Sequence, residues 1–310
     1  MQISVKGPRR ASSRRAALLS LSAAFAMGLA GCETLAPDTQ SKASGEGIVN
    51  EGIPVPPIEE GDALFNLGRY LEAAQIYNRI IQVEPENAAA RFGLAESLFQ
   101  LGEADGALSA YRGLEGNSTY NARVNQGEGM IFLGRGDVAP ARQRLEAAVA
   151  EDPLLWRSWN ALGRVYDLTG DYGRAEEAYY RAMEIQPRSA LPVNNLGMSR
   201  LGQQRYEEAE DLFAQAIQID PTFGPARSNL RNAVAWQGRY REALFNVPDK
   251  NRPDVLNNVG YIAMLRGDLD VAETLFLRAI EESPSYNVQA ADNLRYLQSL
   301  KDADKPITQQ

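Results

Sequence analysis

Few residue types in this 310-residue chain could carry chemistry. It has no histidine and a single cysteine, Cys32. Without histidine the chain cannot build a Ser-His-Asp triad, a Cys-His pair or a histidine-based zinc site. With one cysteine it can form neither an intrachain disulfide nor a thiolate metal cluster. Most familiar hydrolytic mechanisms are thereby excluded, and we predict that the protein is not an enzyme.

Carboxylates remain as candidates for acid/base catalysis or metal binding. Adjacent acids occur at Glu59-Glu60, Glu176-Glu177, Glu207-Glu208 and Glu281-Glu282. A calcium loop needs acids at alternate positions around a glycine turn, and these runs lack that spacing. We therefore expect the acids to lie on solvent-exposed helix faces, and we predict neither a metal nor a cofactor.

Cys32 directly follows a segment with the three parts of an export signal. Residues 6–15 are basic, residues 16–30 are apolar, and the small residues Ala30 and Gly31 precede the cysteine. An apolar stretch of this length falls short of the roughly 20 residues that span a bilayer, and it is typical of a secretory signal peptide. An N-terminal core helix or a short membrane anchor is the alternative.

The segment Leu29-Ala30-Gly31-Cys32 resembles the lipobox of bacterial lipoproteins. This resemblance implies that residues 1–31 are removed and that the Cys32 sulfur carries acyl chains such as palmitate. Each buried methylene contributes about 0.8 kcal/mol, so two or three chains would anchor the protein permanently. Glu33 stands where aspartate would imply retention in the inner membrane. The resemblance therefore implies the periplasmic face of the outer membrane, with Sec or twin-arginine export left open.

The balance of charge argues against nucleic acid as a partner. The formal charge of the whole chain is −8, and removal of residues 1–31 would leave 27 basic and 40 acidic residues, or −13. Such a surface repels nucleic-acid phosphates and anionic lipid headgroups. We therefore expect protein partners, with the membrane reached through the lipid anchor alone.

Residues 32–57 and 304–310 do not have the composition of a folded domain. The first stretch is rich in Gly, Pro, Ser and acids and poor in apolar residues, which predicts a flexible tether. A chain of that length reaches roughly 25–30 Å. The second stretch is predicted to be a frayed tail.

A 34-residue period fills residues 58–303. Alanine recurs at Ala73, Ala107, Ala141, Ala175, Ala209 and Ala243, and then at Ala272. A glycine stands five residues before all but one of these alanines, and a bulky side chain stands four residues after each. This pattern predicts an all-α fold of about seven helix–turn–helix repeats, with glycine in each turn and alanine at each helix crossing. Residues 290–301 are predicted to form a C-terminal capping helix.

This pattern resembles the tetratricopeptide repeat (TPR) family. The resemblance implies an α-α superhelix, a TPR solenoid, whose first helices line a concave groove for a guest peptide. By register, the candidate groove residues are Asn160, Arg164, Asn194, Met198, Asn232, Trp236, Asn257 and Tyr261. Asparagine amides can hydrogen-bond the backbone of a guest. The alternative is that the asparagines, among them Asn195, Asn229 and Asn258, satisfy polar groups between adjacent repeats.

Taken together, the signal, lipobox, tether and repeats resemble the lipoproteins of Tad (Flp-type) pilus assembly. The stretches that carry this resemblance are residues 194–197 (NNLG), 227–230 (RSNL) and 257–260 (NNVG). The resemblance implies a scaffold that serves an outer-membrane secretin or other pilus-assembly components. The alternative is a general envelope scaffold that recruits peptidoglycan or outer-membrane assembly enzymes. The sequence identifies neither the bound protein nor the oligomeric state.

Overall fold

The computed structural model describes residues 55–303, which form fifteen α-helices, one short 3-10 helix and no strand. The predicted signal peptide, Cys32, most of the tether and the tail lie outside the described residues. The helices are α1 Ile58–Asn66, α2 Tyr70–Val83, α3 Ala88–Gln100, α4 Ala104–Arg112, α5 Asn121–Arg135, α6 Val138–Glu151, α7 Trp156–Leu168, α8 Tyr172–Ile185, α9 Ala190–Gly202, α10 Tyr206–Ile219, α11 Gly224–Trp236, α12 Tyr240–Ala243, α13 Arg252–Arg266, α14 Leu269–Glu281 and α15 Val288–Ala303.

Successive helices pair into seven antiparallel repeats, from α1/α2 to α13/α14, and α15 packs on the last pair. Leu297 of α15 is fully buried against Phe276 of α14 and its neighbours, so α15 covers the end of the stack. The predicted all-α superhelix with a C-terminal capping helix is confirmed.

The turn within each repeat requires a left-handed backbone. Where glycine was predicted in this turn, its φ lies between 74° for Gly68 and 89° for Gly267. Gln204 replaces glycine in the fifth repeat and still has a φ of 62°. The turn geometry is therefore set by the repeat, and glycine is the residue that adopts it without strain.

The predicted alanines lie where the two helices of a repeat cross. All seven are almost fully buried, and Ala175 is 0% exposed. In the first, third, fourth, fifth and seventh repeats the bulky residue packs beside a glycine of the first helix: a Cβ added to Gly163 would lie 2.5 Å from Cε1 of Tyr179. Tyr172, the first residue of α8, lies outside this packing and is 40% exposed.

Two repeats are shortened as their glycine and proline content predicts. In the second repeat, α4 ends at Arg112 after nine residues. In the sixth, α12 is a single turn, and the chain continues through a 3-10 turn at Asp249–Asn251 before α13 begins. Val247 remains 4% exposed, so this non-helical segment still contributes to the core.

The stack is curved, with the first helices on its inner side. Each first helix from α1 to α13 contacts the first helix of the next repeat or the cap, whereas neighbouring second helices have far fewer contacts. Closer spacing on one side bends a solenoid toward that side. Within residues 55–303, no helix is both long and apolar enough to cross a membrane.

Candidate peptide-binding face

The inner side of the superhelix presents one stripe of side chains from each of five first helices. Each stripe holds residues i, i+7 and i+11, which share one face of an α-helix. None of these residues is buried. The stripes, together called the inner face, are Arg123, Met130 and Gly134 on α5; Arg157, Arg164 and Leu168 on α7; Leu191, Met198 and Gly202 on α9; Pro225, Asn232 and Trp236 on α11; and Asp254, Tyr261 and Leu265 on α13.

Five of the eight candidate groove residues lie on this inner face. Arg164 is exposed, and Met198, Asn232, Trp236 and Tyr261 are half-buried. The ring of Trp236 stacks on that of Tyr206, with centroids 5.6 Å apart and planes within 6°. The structure therefore brings these five residues onto the same side of four consecutive repeats.

The other three candidates, Asn160, Asn194 and Asn257, are 3–7% exposed and lie between repeats. Asn195 donates to Oδ1 of Asn160 and Asn229 donates to Oδ1 of Asn194, each at 2.9 Å. Asn293 on the capping helix donates to Oδ1 of Asn257 at the same distance. These pairs, which we call the asparagine ladder, link successive first helices, as the alternative interpretation of Asn195 and Asn229 expected.

The ladder leaves part of each amide available. Among the described residues, no buried side-chain nitrogen or oxygen lacks a hydrogen-bond partner. Within the part of the chain that the structure describes, the ladder uses Oδ1 of Asn160 and of Asn257 as the acceptor and does not use their Nδ2 groups. Asn194 differs, since its Nδ2 lies 3.4 Å from Oδ1 of Asn195. Peptide binding by Asn160 and Asn257 stays a prediction; it would use the Nδ2 hydrogens that the ladder leaves over.

Carboxylates on the first helices are held by tyrosines of the bulky position. Tyr77 donates to Asp62 at 2.6 Å, Tyr111 donates to Glu96 at 2.5 Å, and Tyr179 donates to Asp167 at 2.8 Å. Burial raises the pKa of all three tyrosines, and the neighbouring carboxylate raises it further. The tyrosines therefore stay protonated and remain donors, so these acids serve the packing of the first, second and fourth repeats.

Among these acids, Asp167 also accepts a hydrogen bond from the neighbouring repeat. Ser199 on α9 donates to its second oxygen at 2.6 Å, which joins the fourth repeat to the fifth. Burial raises the pKa of Asp167, while the bonds from Ser199 and Tyr179 act in the opposite direction. Asp167 is half-buried, and both of its oxygens already accept hydrogen bonds that hold the fourth and fifth repeats together.

Some acids of the second helices form ion pairs with a buried arginine, although the sequence predicts that they are solvent-exposed. Arg200, on α9, is buried and pairs with Glu176 on α8 and with Glu208 on α10. Glu177 and Glu207, their sequence neighbours, are exposed as expected. Within residues 55–303, no group of three or more acids or other ligating side chains could hold a metal ion.

Two inner-face arginines were not singled out from the sequence. Arg123 and Arg157 occupy the same register position one period apart, and both are exposed. The guanidinium of Arg123 lies 4.3 Å from the ring centroid of Phe92, and that of Arg157 lies 5.5 Å from the centroid of Trp156. Their 34-residue spacing was the available signal, but only the fold shows that neither forms an ion pair with a described acid.

Comparison with known proteins supports the repeat assignment. Family models described as tetratricopeptide repeat match residues 58–122 and 127–192, and residues 200–245, more than half of the chain in total. The human protein O-mannosyl-transferase TMTC1 is 30% identical over 188 residues, which cover 48% of this chain. The match spans only 21% of that protein's length, and it does not establish catalysis here.

Solved structures give the same fold at low identity. A tetratricopeptide repeat protein from Parabacteroides merdae has a TM-score of 0.55 and 18% identity, over 78% of this chain and 97% of that one. Human IFIT1, solved as a dimer with m7Gppp-AAAA, has a TM-score of 0.57 and 20% identity, over 80% of this chain and 64% of that one. At these identities the likeness shows the fold alone.

Proposed function

The chain belongs to the tetratricopeptide repeat family, and on this premise we propose that it is a lipid-anchored scaffold of the bacterial envelope. Repeats of this family are generally non-catalytic scaffolds for protein–protein interaction. Our proposal adds the place and the partners: the periplasmic face of the outer membrane, and components of a pilus or secretion machine such as a secretin. The lipobox at residues 29–32 supports the anchor, and the resemblance to Tad pilus-assembly lipoproteins supports the machine.

The observation that carries the binding role is the continuous inner face. Stripes from five consecutive first helices present exposed or half-buried side chains, including Arg164, Met198, Asn232 and Tyr261. A guest peptide that lies across these helices could pack on the methionine and the tyrosine. It could also form hydrogen bonds with the polar side chains. Exposed acids such as Glu177 and Glu207 lie on the second helices, away from this face.

Cross-linking in isolated membranes, followed by affinity capture, tests this function. We expect the double variant R164A/M198A to lose captured partner by about tenfold or more, because central contacts of an interface dominate its affinity. The matched control R188A/L277A removes an exposed arginine and a half-exposed leucine away from the inner face. It should capture the partner as the wild type does.

The identity of the captured protein tests the finer claim. Recovery of a secretin or another pilus component supports the assembly role. Recovery of peptidoglycan-modifying or outer-membrane assembly enzymes would replace it with the general envelope scaffold. If both double variants lost the partner equally, or neither did, binding at the inner face would be rejected. Melting curves of both variants ensure that a loss of capture is not a loss of fold.

A further inference from the structure

We propose that the inner face of the third to fifth repeats binds an acidic segment of the partner, one that combines aspartate or glutamate with apolar side chains. This inference rests on the proposed function, because it names the chemistry of the guest at the same face. The observation that carries it is a group of three exposed arginines on this face that form no ion pair with any acid of residues 55–303.

The inner-face stripes of α5, α7 and α9 contain three arginines and no acid. These arginines are Arg123, Arg157 and Arg164, and all three are exposed. The remaining members of the stripes are apolar or glycine, with Leu168 at 56% and Leu191 at 37% exposure. This surface is cationic and apolar, although the chain as a whole has a formal charge of −8.

Within residues 55–303, none of these three arginines has an acid within ion-pair distance. The acids on the same helices are already engaged: Glu128 pairs with Arg144 at 3.0 Å, and Asp167 accepts from Tyr179 and Ser199. Glu128 is therefore paired with a cation and Asp167 is hydrogen-bonded inside the fold, whereas the arginines of the stripes have no such acidic partner among the described residues.

The arginines are also held in place. Arg123 and Arg157 lie over the rings of Phe92 and Trp156, which restricts their guanidinium groups before any guest binds. Arg164 follows Arg157 by two helical turns, roughly 10 Å along α7. Guanidinium groups fixed at such separations can each meet a carboxylate of an extended segment, and prior ordering lowers the entropy cost of binding.

The opposite side of the superhelix directs an acidic guest inward. Glu177, Glu207 and Asp211 are exposed on second helices. They repel an acidic segment, while the arginines attract it, and such a contrast favours both specificity and the rate of association. A nucleic acid is less well matched because these three stripes contain no aromatic ring on which bases could stack.

A selection experiment with the full chain tests the inference. A phage-displayed library of random peptides of about 12 residues would be panned on the wild type, on R157Q/R164Q and on R188Q/R241Q. The last variant removes the same charge from two exposed arginines off the inner face. We expect peptides with a clear excess of acids from the wild type and the control, and no such excess from R157Q/R164Q. A recovered acidic peptide should bind R157Q/R164Q at least tenfold more weakly, and bind the control within twofold of the wild type.

The other outcomes separate this inference from the proposed function. If the recovered peptides are neutral or basic but bind less tightly to M198Q, the inner face is the binding site and its preference for acids is wrong. If no peptide is recovered, or none depends on the inner face, both proposals fail. A single-stranded oligothymidylate is included as a second probe. If the oligothymidylate binds the wild type but not R157Q/R164Q, and acidic peptides do not bind, the arginines form a nucleic-acid site instead.

Discussion

Single alanines set how closely the two helices of each repeat approach. Ala175 in the fourth repeat is fully buried at the crossing of α7 and α8. We predict that A175L lowers the free energy of unfolding by about 1–3 kcal/mol, because the added atoms overpack the crossing. Thermal melting followed by circular dichroism measures the effect.

The control for A175L is the exposed residue Glu177 on the same helix. E177Q should leave the melting temperature unchanged within error, since exposed substitutions rarely exceed about 0.5 kcal/mol. Glu176 would be a poor control because it pairs with Arg200. Equal and negligible effects of A175L and E177Q would mean that Ala175 does not lie at a tight crossing.

Cys32 is the residue on which the proposed location depends. We predict that C32S removes the acylated sulfur, so that the protein stays as unprocessed precursor or is released from the outer membrane. Membrane fractionation and the electrophoretic mobility of the mature chain measure this. Normal outer-membrane recovery of C32S would refute the lipid anchor.

The roles of individual residues could be predicted from the sequence only where the period alone determines them. The turn glycines and crossing alanines keep a fixed register, so their conformations and burial follow from the repeat. The register predicts Asn160 and Asn194 as groove residues, but it does not show that each accepts a hydrogen bond from an asparagine 35 residues later. That pairing depends on how adjacent repeats are offset in space, which the period does not specify.

At the scale of helices, a buried arginine joins the fourth repeat to the fifth. The Arg200 side chain is 5% exposed, and its partners Glu176 and Glu208 belong to α8 and α10. We predict that R200A lowers the free energy of unfolding by about 2–4 kcal/mol. The loss lies toward the lower end for a broken buried ion pair because both carboxylates are partly solvated. Urea unfolding measures the loss.

Arg205 provides the matched control for R200A. It pairs with the same carboxylate, Glu208, at 2.5 Å, but its side chain is 43% exposed and the pair lies within one helical turn. R205A should cost less than about 1 kcal/mol. Similar costs for the two variants would show that burial of Arg200 contributes nothing to the connection between the repeats.

A second helix pair, α5/α6, contains a buried carboxylate whose pH response can be predicted. Burial raises the pKa of Glu128 above its ordinary value of 4.5, with Glu115 acting in the same direction and Arg144 and Arg112 opposing it. The folded state therefore retains this proton to higher pH than the unfolded state. Its contribution to stability is largest below pH 4.5 and is lost as pH rises through the raised pKa.

The variant E128Q isolates that response, since amide and carboxyl groups have similar shapes. We predict that the wild type gains stability relative to E128Q as the pH falls from 7.5 toward 4.5. Urea unfolding of both proteins across this range measures the difference. A difference that is flat, or that grows with pH, would mean that the ion pair with Arg144 outweighs burial.

The lengths of the helices were largely predictable from the sequence, but the packing of neighbouring repeats on either side of a shortened helix was not. Gly113 and Gly116 in the second repeat and Pro248 and Pro253 in the sixth disfavour a continued helix, and the second helices α4 and α12 of these repeats are short. Val247 stands four residues after the crossing alanine of the sixth repeat, at the bulky position of the period, and it is buried although α12 ends before it. What the period does not show is that α13 packs directly on α11 across the shortened repeat.

At the scale of the whole molecule, the net charge of the chain does not describe the charge of the inner face. A formal charge of −8 predicts a uniformly repulsive surface for anions. Within residues 55–303, the fold instead leaves Arg123, Arg157 and Arg164 exposed on the inner face without an ion pair. Only a three-dimensional arrangement sorts the charges in this way, because first and second helices alternate along the chain.

The central claim is that the inner face holds the partner, and site-specific photo-cross-linking in cells tests it most directly. A benzophenone amino acid would replace Met198 or Tyr261 on the inner face, and Glu177 or Leu277 on second helices. We predict the same discrete protein adduct from both inner positions and none from either outer position. An adduct formed from Glu177 or Leu277 alone would contradict the account and place the binding site on the outside of the superhelix.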